Sequence, residues 1–162
     1  MLLRMEVKGI TLDPLTNMPI VILKDINGSK ALPIWIGIFE ANAIALELEK
    51  IVTPRPMTHD LLKSVIEHLN AKLEMIVITE LKNNTFYAQL KLINSENEVI
   101  FVDSRPSDAI ALALRCGAPI FVEESVIEKA QVIDTSKDLG EKEEWKEWLE
   151  RLKPEDFGKY PM

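Results

Sequence analysis

The sequence has few of the residues from which common catalytic and cofactor-binding motifs are built. It contains one cysteine, two histidines and six glycines in 162 residues. The single cysteine, Cys116, excludes an internal disulfide and is typical of a reducing compartment. The glycines are too scattered for a dinucleotide- or phosphate-binding loop, and His59 and His68 lack the metalloprotease spacing. A catalytic site would therefore have to be built from other polar side chains.

A long hydrophobic run and an excess of positive charge are also missing. No stretch approaches the ~20 apolar residues of a membrane-spanning helix, and the first residues mix charges into a strand-like pattern unlike a signal peptide. The net charge is −7, and residues 123–162 carry −5 of it. A protein that binds nucleic acid through contacts to many phosphates needs a basic surface, which this composition does not indicate. An enzyme can still bind a single phosphate at its active site. We expect a cytoplasmic protein with no membrane association.

Short β-branched and aromatic runs separated by turns predict two antiparallel meanders, one in each half of the chain. The predicted strands are residues 3–12, 18–23 and 31–36, then 73–81, 86–93 and 98–102. Three helices are predicted: one at about 38–51, one from Thr58 onward and one after Asp103. The second has an apolar stripe of Leu61, Leu62, Val65, Ile66 and Leu69. The pattern indicates an α+β fold with mostly antiparallel strands and helices packed against them.

Residues 1–130 are predicted to form the core domain. Residues 131–162 are predicted to add a polar loop and an acidic amphipathic helix to the same domain. In that helix Trp145, Trp148, Leu149 and Leu152 recur at helical spacing, which favours a docking face over a base-stacking platform. This face would pack on the protein's own core or on a second subunit, and the second alternative corresponds to a homo-oligomer, with a dimer favoured.

The stretch from Asp103 to Pro119 predicts a strand end, a turn and a buried helix. Ser104 is a plausible N-cap, and Gly117 suits the left-handed position after a helix end. Residues 109–114 carry no polar side chain, so this helix is expected to be buried on all sides. Polar chemistry is then confined to its two ends, and the Asp103–Asp108 corner becomes the first candidate site.

Further polar side chains stand at the starts of the two earlier helices. Glu40 lies in the first turn of one, and the segment Arg55–Asp60 precedes and opens the other. An imidazole such as His59 can act as a general base, and an arginine can hold a phosphate with two hydrogen bonds. The alternative is structural, because Thr58 and Asp60 also suit helix capping and compensation of the helix dipole.

Two carboxylates at the Asp103–Asp108 corner predict a site for Mg²⁺ or Mn²⁺, which prefer oxygen ligands. With Glu40 or Asp60 they would form a three-carboxylate site able to activate water against a phosphodiester. The alternative again consists of ion pairs, in which Asp108 stabilises the helix start and Asp103 pairs with an arginine.

Several segments resemble the bifunctional nuclease domain family. They are Leu32–Gly37 with Glu40 and Ala41, Arg55–Leu61, Ser104–Leu112, Gly117–Val122 and Trp148–Phe157. The resemblance implies nuclease activity on DNA and RNA and an oligomeric protein. It does not supply a set of catalytic residues, so the roles that follow come from side-chain chemistry.

Our hypothesis is a nuclease that hydrolyses phosphodiester bonds, with Mg²⁺ or Mn²⁺ as cofactor. The proposed catalytic residues are His59, Asp60, Asp108 and Glu40. The proposed substrate-binding residues are Arg55, Arg105 and Ser107. The proposed metal ligands are Asp103, Asp108 and Glu40. This hypothesis predicts that the polar turns converge on one cleft. The alternative is a non-catalytic oligomeric scaffold with an anion- or ligand-binding corner at Asp103–Asp108.

Overall fold

A computed structural model describes residues 1–130 and 133–134 of the chain. Its strands are β1 (Leu2–Leu12), β2 (Pro19–Asp25), β3 (Lys30–Trp35), β4 (Lys72–Lys82), β5 (Thr85–Ile93), β6 (Val99–Ser104), β7 (Ile120–Glu123) and β8 (Ile133–Asp134). Its helices are α1 (Ile38–Leu48), α2 (Thr58–His68), α3 (Pro106–Cys116) and α4 (Glu124–Lys129). The predicted α+β class is confirmed.

The two predicted meanders are present and belong to one sheet. Strands β1, β2 and β3 pair antiparallel in sequence order, and so do β4, β5 and β6. Strand β7 joins them, since it runs parallel to β4 and antiparallel to β1. The strand order is β6-β5-β4-β7-β1-β2-β3-β8. A single continuous sheet therefore provides the surface on which the helices pack.

Helix α3 is the buried helix that the sequence predicts. Ala109, Ile110, Ala111, Leu112 and Ala113 are all buried, because α3 contacts helices α1 and α2 as well as strands β4 and β5. Gly117 follows the helix with φ 64°, the left-handed conformation in which a side chain would be strained. Only the first turn and the last residues of α3 are left for polar contacts.

The N-caps of α2 and α3 each lie one residue away from the predicted cap residue. Arg105, not Ser104, is the N-cap of α3, and Ser104 ends β6 with its Oγ donating to the Arg105 carbonyl. Met57, not Thr58, is the N-cap of α2, and Asp60 Oδ2 accepts the Met57 N–H at 2.9 Å. This bond is one half of a capping box, in which the side chain of the third helical residue accepts the N–H of the N-cap; a hydroxyl at the N-cap would instead accept an N–H from inside the first turn.

Helix α1 ends at Leu48, three residues before the predicted boundary. Lys50 adopts φ 56°, and the Ile51 N–H bonds back to the Leu46 carbonyl, which closes the helix with a left-handed residue. On α2, the apolar stripe is buried at Ile66, while Leu61, Leu62, Val65 and Leu69 are exposed. Burial on α2 is narrower than the stripe because its main packing partner is the single helix α3.

The predicted docking face of Trp145, Trp148, Leu149 and Leu152 lies outside the described residues, so it stays a prediction. Strand β8, from the start of the predicted tail segment, pairs with β3 at Lys30 and Ala31. Among the described residues, no helix is long and apolar enough to cross a membrane.

Candidate active site

The first turns of three helices meet at one cleft of about 350 Å³. Glu40 comes from α1, His59 from α2, and Arg105 and Asp108 from the start of α3. All four side chains line the cleft. The predicted convergence is therefore confirmed for these residues, which the sequence separates by up to 68 positions.

Hydrogen bonds join these four side chains into a continuous chain. His59 Nε2 lies 2.9 Å from Asp108 Oδ1, and Arg105 Nε donates to Asp108 Oδ2 at 2.8 Å. Arg105 Nη1 donates to Glu40 Oε1 at 3.1 Å. Both Asp108 oxygens are thereby bound, and Arg105 bridges the carboxylates of two helices.

The surroundings of Asp108 determine which nitrogen of His59 is basic. The hydrogen bond with His59 and the neighbouring Arg105 guanidinium lower the pKa of the Asp108 carboxyl to about 2. At neutral pH this carboxylate can only accept hydrogen bonds, so Nε2 of His59 must carry the hydrogen. In the neutral imidazole, Nδ1 is then the nitrogen with a free lone pair, and a ring in this state is suited to accept a proton.

Gly37 allows the Glu40 carboxylate to occupy its position. Gly37 is the N-cap of α1, with φ −77° and ψ 164°, a conformation that any residue adopts. A Cβ at this position would overlap Glu40 Oε2 and lie 3.0 Å from its Cδ. The missing side chain at Gly37 therefore provides the space in which Glu40 folds back toward Arg105.

Arg115 is a buried arginine whose role the sequence pattern does not indicate. Its side chain is 3% exposed and donates from Nε to Asp60 Oδ1 at 2.8 Å. Two further donors bind the carbonyls of Ala111 and Ala43, each at 2.9 Å. Arg115 thus connects α3 to α2 and α1, the helices that carry His59 and Glu40. The available signal was a lone charge at the end of an otherwise apolar helix.

Asp60 supports the site from outside the cleft. Its hydrogen bond from the Met57 backbone and its contact with Arg115 lower the pKa of its carboxyl, so it is an ionised anchor for both partners. Arg55 is exposed and lines a neighbouring cleft of about 430 Å³ together with Asp60 and Arg115. These positions indicate a structural role for Asp60 and leave Arg55 beside the first cleft.

Two other predicted site residues lie elsewhere. Ser107 is 2% exposed and does not line the cleft. Asp103 is exposed on β6, opposite Gln89, and does not line the cleft either. The structure therefore does not bring either side chain to the surface on which the other four converge.

The predicted Mg²⁺ or Mn²⁺ ligands are largely engaged by other groups. Asp108 binds His59 and Arg105 through both oxygens, and Glu40 Oε1 binds Arg105. Across residues 1–130 and 133–134, no group of three or more His, Cys, Asp or Glu side chains is placed to hold a metal ion. In this arrangement the side chains do not form a cation site, and a metal role stays a prediction.

Cys116 is half-buried at the end of α3, and burial raises the pKa of its thiol. A raised pKa disfavours the thiolate, which is the nucleophilic form. The position indicates a packing role for Cys116. His59 is left as the side chain in the cleft that is a candidate general base.

Comparison with known proteins identifies the family of this chain. The bifunctional nuclease domain family matches residues 21–135. An uncharacterized protein of Mycobacterium tuberculosis is 42% identical over 161 residues, covering 94% of this chain and 96% of that protein. Bifunctional nuclease 1 of Oryza sativa is 36% identical over 106 residues, and bifunctional nuclease 1 of Arabidopsis thaliana is 27% identical over 107.

The two plant matches cover 63% and 64% of this chain but only 32% and 33% of the plant proteins. The chain thus corresponds to about a third of each plant nuclease, whereas it matches the mycobacterial protein over nearly its whole length. The family match includes the segments that carry Glu40, His59, Arg105 and Asp108. This chain belongs to the bifunctional nuclease domain family.

Proposed function

We propose that this protein hydrolyses phosphodiester bonds in DNA and RNA, with His59 as the general base. The observation that supports this most directly is the His59–Asp108 pair in an open cleft. Two further observations support hydrolysis of phosphodiester bonds as the reaction class. The chain belongs to the bifunctional nuclease domain family, and its plant relatives are named as nucleases.

Asp108 has the role of orienting and stabilising the base. Its carboxylate holds the Nε2–H of His59, so Nδ1 is left to take a proton from an attacking water. The water oxygen forms the new bond to phosphorus, the bond to the leaving oxygen breaks, and that oxygen takes a proton from solvent. The imidazolium that forms is stabilised by the adjacent carboxylate, as in the Ser-His-Asp arrangement of hydrolases.

Arg105 is the group in the cleft that can hold a phosphate oxygen. Its guanidinium is fixed by Asp108 and Glu40, and its side chain is 33% exposed. When His59 is neutral, Arg105, Glu40 and Asp108 together carry one net negative charge. A phosphodiester is also an anion, so a divalent cation near Glu40 would favour its approach, and for this reason Mg²⁺ or Mn²⁺ remains part of the proposal.

Cleavage of labelled single-stranded DNA and RNA in Mg²⁺, Mn²⁺ or EDTA tests the proposal. We expect His59→Gln to reduce the rate by about 100-fold or more, as is usual when a general base is removed. His68→Gln is the matched control, because His68 is exposed and, within the part of the chain that the structure describes, bonds only to the Ser64 carbonyl of its own helix. Equal cleavage by wild type and His59→Gln would contradict the assignment of the base.

A non-catalytic scaffold with an anion-binding corner is the second candidate. It is favoured by the pairing of each carboxylate at the site: Glu40 and Asp108 with Arg105, and Asp60 with Arg115. Such pairs can serve stability alone. Binding of an oligonucleotide or nucleotide without cleavage in any of the three buffers would favour this candidate over the nuclease.

We further propose that the protein is a homodimer. The support is the helical spacing of Trp145, Trp148, Leu149 and Leu152 in the sequence. Light scattering on the full chain should give the mass of two subunits, and Trp148→Ala should shift it toward one. An unshifted mass would place the interface elsewhere.

A further inference from the structure

The cleft has an apolar wall that the proposed hydrolysis does not use. Phe39, Ala43 and Leu46 line it from α1, and Met57 lines it from the turn before α2. The same cleft is lined by the polar side chains of His59, Arg105, Asp108 and Glu40. A cleft lined by both apolar and hydrogen-bonding side chains suits a ligand that carries a flat ring system and an anion.

Phe39 is the most conspicuous member of the apolar wall. Its side chain is 87% exposed although it lies in the first turn of α1, next to Glu40. A phenylalanine loses the free energy of burial when it stays in water, so an exposed ring at the edge of a polar cleft marks a ligand-binding surface more than a packing position. Proteins that bind single-stranded nucleic acid use such rings to stack bases.

The neighbours of Phe39 on α1 add rigidity and a polar group. Asn42 and Ala43 follow three and four residues later, so all three lie on the same face of the helix and line the cleft. The Ala43 carbonyl accepts a hydrogen bond from the buried Arg115, which ties this face of α1 to α3. Asn42 is exposed and carries the amide donor and acceptor that can pair with a base edge.

We infer that Phe39 is a base-stacking platform that makes this site selective for single-stranded nucleic acid. An unpaired base stacks on the Phe39 ring, Asn42 contacts its edge, and the adjoining phosphate lies at Arg105. A base in a duplex is already stacked between its neighbours and is not available to a ring in a cleft. The inference rests on the proposed function for the position of the phosphate, while the stacking itself is a binding event that does not require cleavage.

Binding measured apart from cleavage tests the platform. Fluorescence anisotropy in EDTA would compare a labelled single strand of about 12 thymidines, the uridine equivalent, and a duplex of the same length. We expect Phe39→Ala to weaken single-strand binding roughly 5- to 100-fold and to leave duplex binding unchanged. Phe39→Trp should retain single-strand binding, because a larger ring still stacks.

Phe101→Ala is the matched control, since Phe101 is a second exposed phenylalanine (59%) on β6 and does not line the cleft. Unchanged single-strand binding by Phe39→Ala, or equal losses with Phe101→Ala, would overturn the inference. So would a failure of wild type to bind any single strand both in EDTA and with Mg²⁺ added. A change from dimer to monomer in Phe39→Ala, measured by light scattering, would instead assign Phe39 to an interface between two copies.

These outcomes are separable from those of the hydrolysis. If wild type binds single strands through Phe39 but cleaves none, the proposed nuclease fails and the platform stands. If wild type cleaves through His59 while Phe39→Ala binds and cleaves single strands normally, the platform fails and the nuclease stands. With both correct, Phe39→Ala raises KM for single-stranded substrates by a similar factor and changes kcat little, because the ring contacts the base and not the reacting phosphate.

Discussion

His59 Nε2 and Asp108 Oδ1 lie 2.9 Å apart, although 49 residues separate the two in the chain. The contact joins the first turn of α2 to the first turn of α3, so it depends on how these helices pack against each other. The His59 side chain is 12% exposed, which limits competition from water for the hydrogen bond. In the proposed mechanism, this contact holds the general base against the group that orients it.

Asp108→Asn tests this orientation. An asparagine can present its NH₂ group to Nε2, and the imidazole would then adopt the tautomer with its hydrogen on Nδ1. We expect kcat for oligonucleotide cleavage to fall by about 100-fold or more, with a smaller change in KM. Asp25→Asn, at the last residue of β2, is the control. Full activity in Asp108→Asn would show that His59 does not depend on this carboxylate.

The pH dependence of stability should report the same contact. The pKa of Asp108 is about 2 in the folded protein, below its ordinary value of 3.8, so its stabilising effect is present above about pH 4 and is lost as the pH falls through 2. We expect about 1–2 kcal/mol of unfolding free energy to disappear over this range in wild type and not in Asp108→Asn. Denaturant unfolding at a series of pH values measures it.

An NMR titration of the Asp108 carboxyl provides the direct check. In wild type the midpoint should lie near 2, and in His59→Gln it should rise toward 3.8, because the hydrogen bond that contributes most to the shift is altered. A wild-type midpoint near 3.8 would be incompatible with the ion-paired geometry of this cleft.

Gly37→Ala should disturb Glu40 without unfolding the protein. The backbone conformation of Gly37 accommodates alanine, but the new Cβ would overlap Glu40 Oε2, so the flexible carboxylate should swing away from Arg105. We expect the melting temperature to change little and the cleavage rate to fall to that of Glu40→Ala. Gly9→Ala is the control, because a Cβ there meets no atom within 4 Å.

A double-mutant cycle distinguishes this mechanism from a general loss of structure. In a Glu40→Ala background, Gly37→Ala should have almost no further effect on activity, because the side chain that it displaces is gone. Additive losses in the cycle would mean that Gly37 acts through something other than Glu40.

Arg115→Met should destabilise the fold strongly. The substitution removes the partner of Asp60 and three donors from a nearly buried position, leaving the Ala43 and Ala111 carbonyls without it. Asp60 stays hydrated when Arg115 is removed, because its side chain is 35% exposed, so we expect a loss of about 1–3 kcal/mol from the hydrogen bonds of the buried guanidinium. Urea unfolding measures the loss, and Arg55→Met, at an exposed arginine, should stay close to wild type. Equal unfolding midpoints for Arg115→Met and wild type would refute the helix-linking role.

The elements of the fold were largely predictable because their signals are local. Alternation and turn residues indicated both meanders, and the unbroken apolar run of residues 109–114 indicated a buried helix ended by Gly117. Boundaries were less predictable, since Ser104 and Thr58 have the chemistry of caps but stand one residue from the true N-caps. The N–H of Met57, the N-cap of α2, donates to the carboxylate of Asp60, three residues after Met57.

The sequence by itself determined two antiparallel meanders, a buried third helix and a set of polar side chains at helix starts. Only the tertiary structure decided which of them meet: Glu40 with Arg105 across 65 residues, and Asp60 with Arg115 across 55. It also separated Asp103 and Ser107 from Asp108, although both are close neighbours in the chain. The reason is geometric, because side-chain direction repeats locally along a strand or helix, whereas a contact between elements depends on how they pack on the shared sheet.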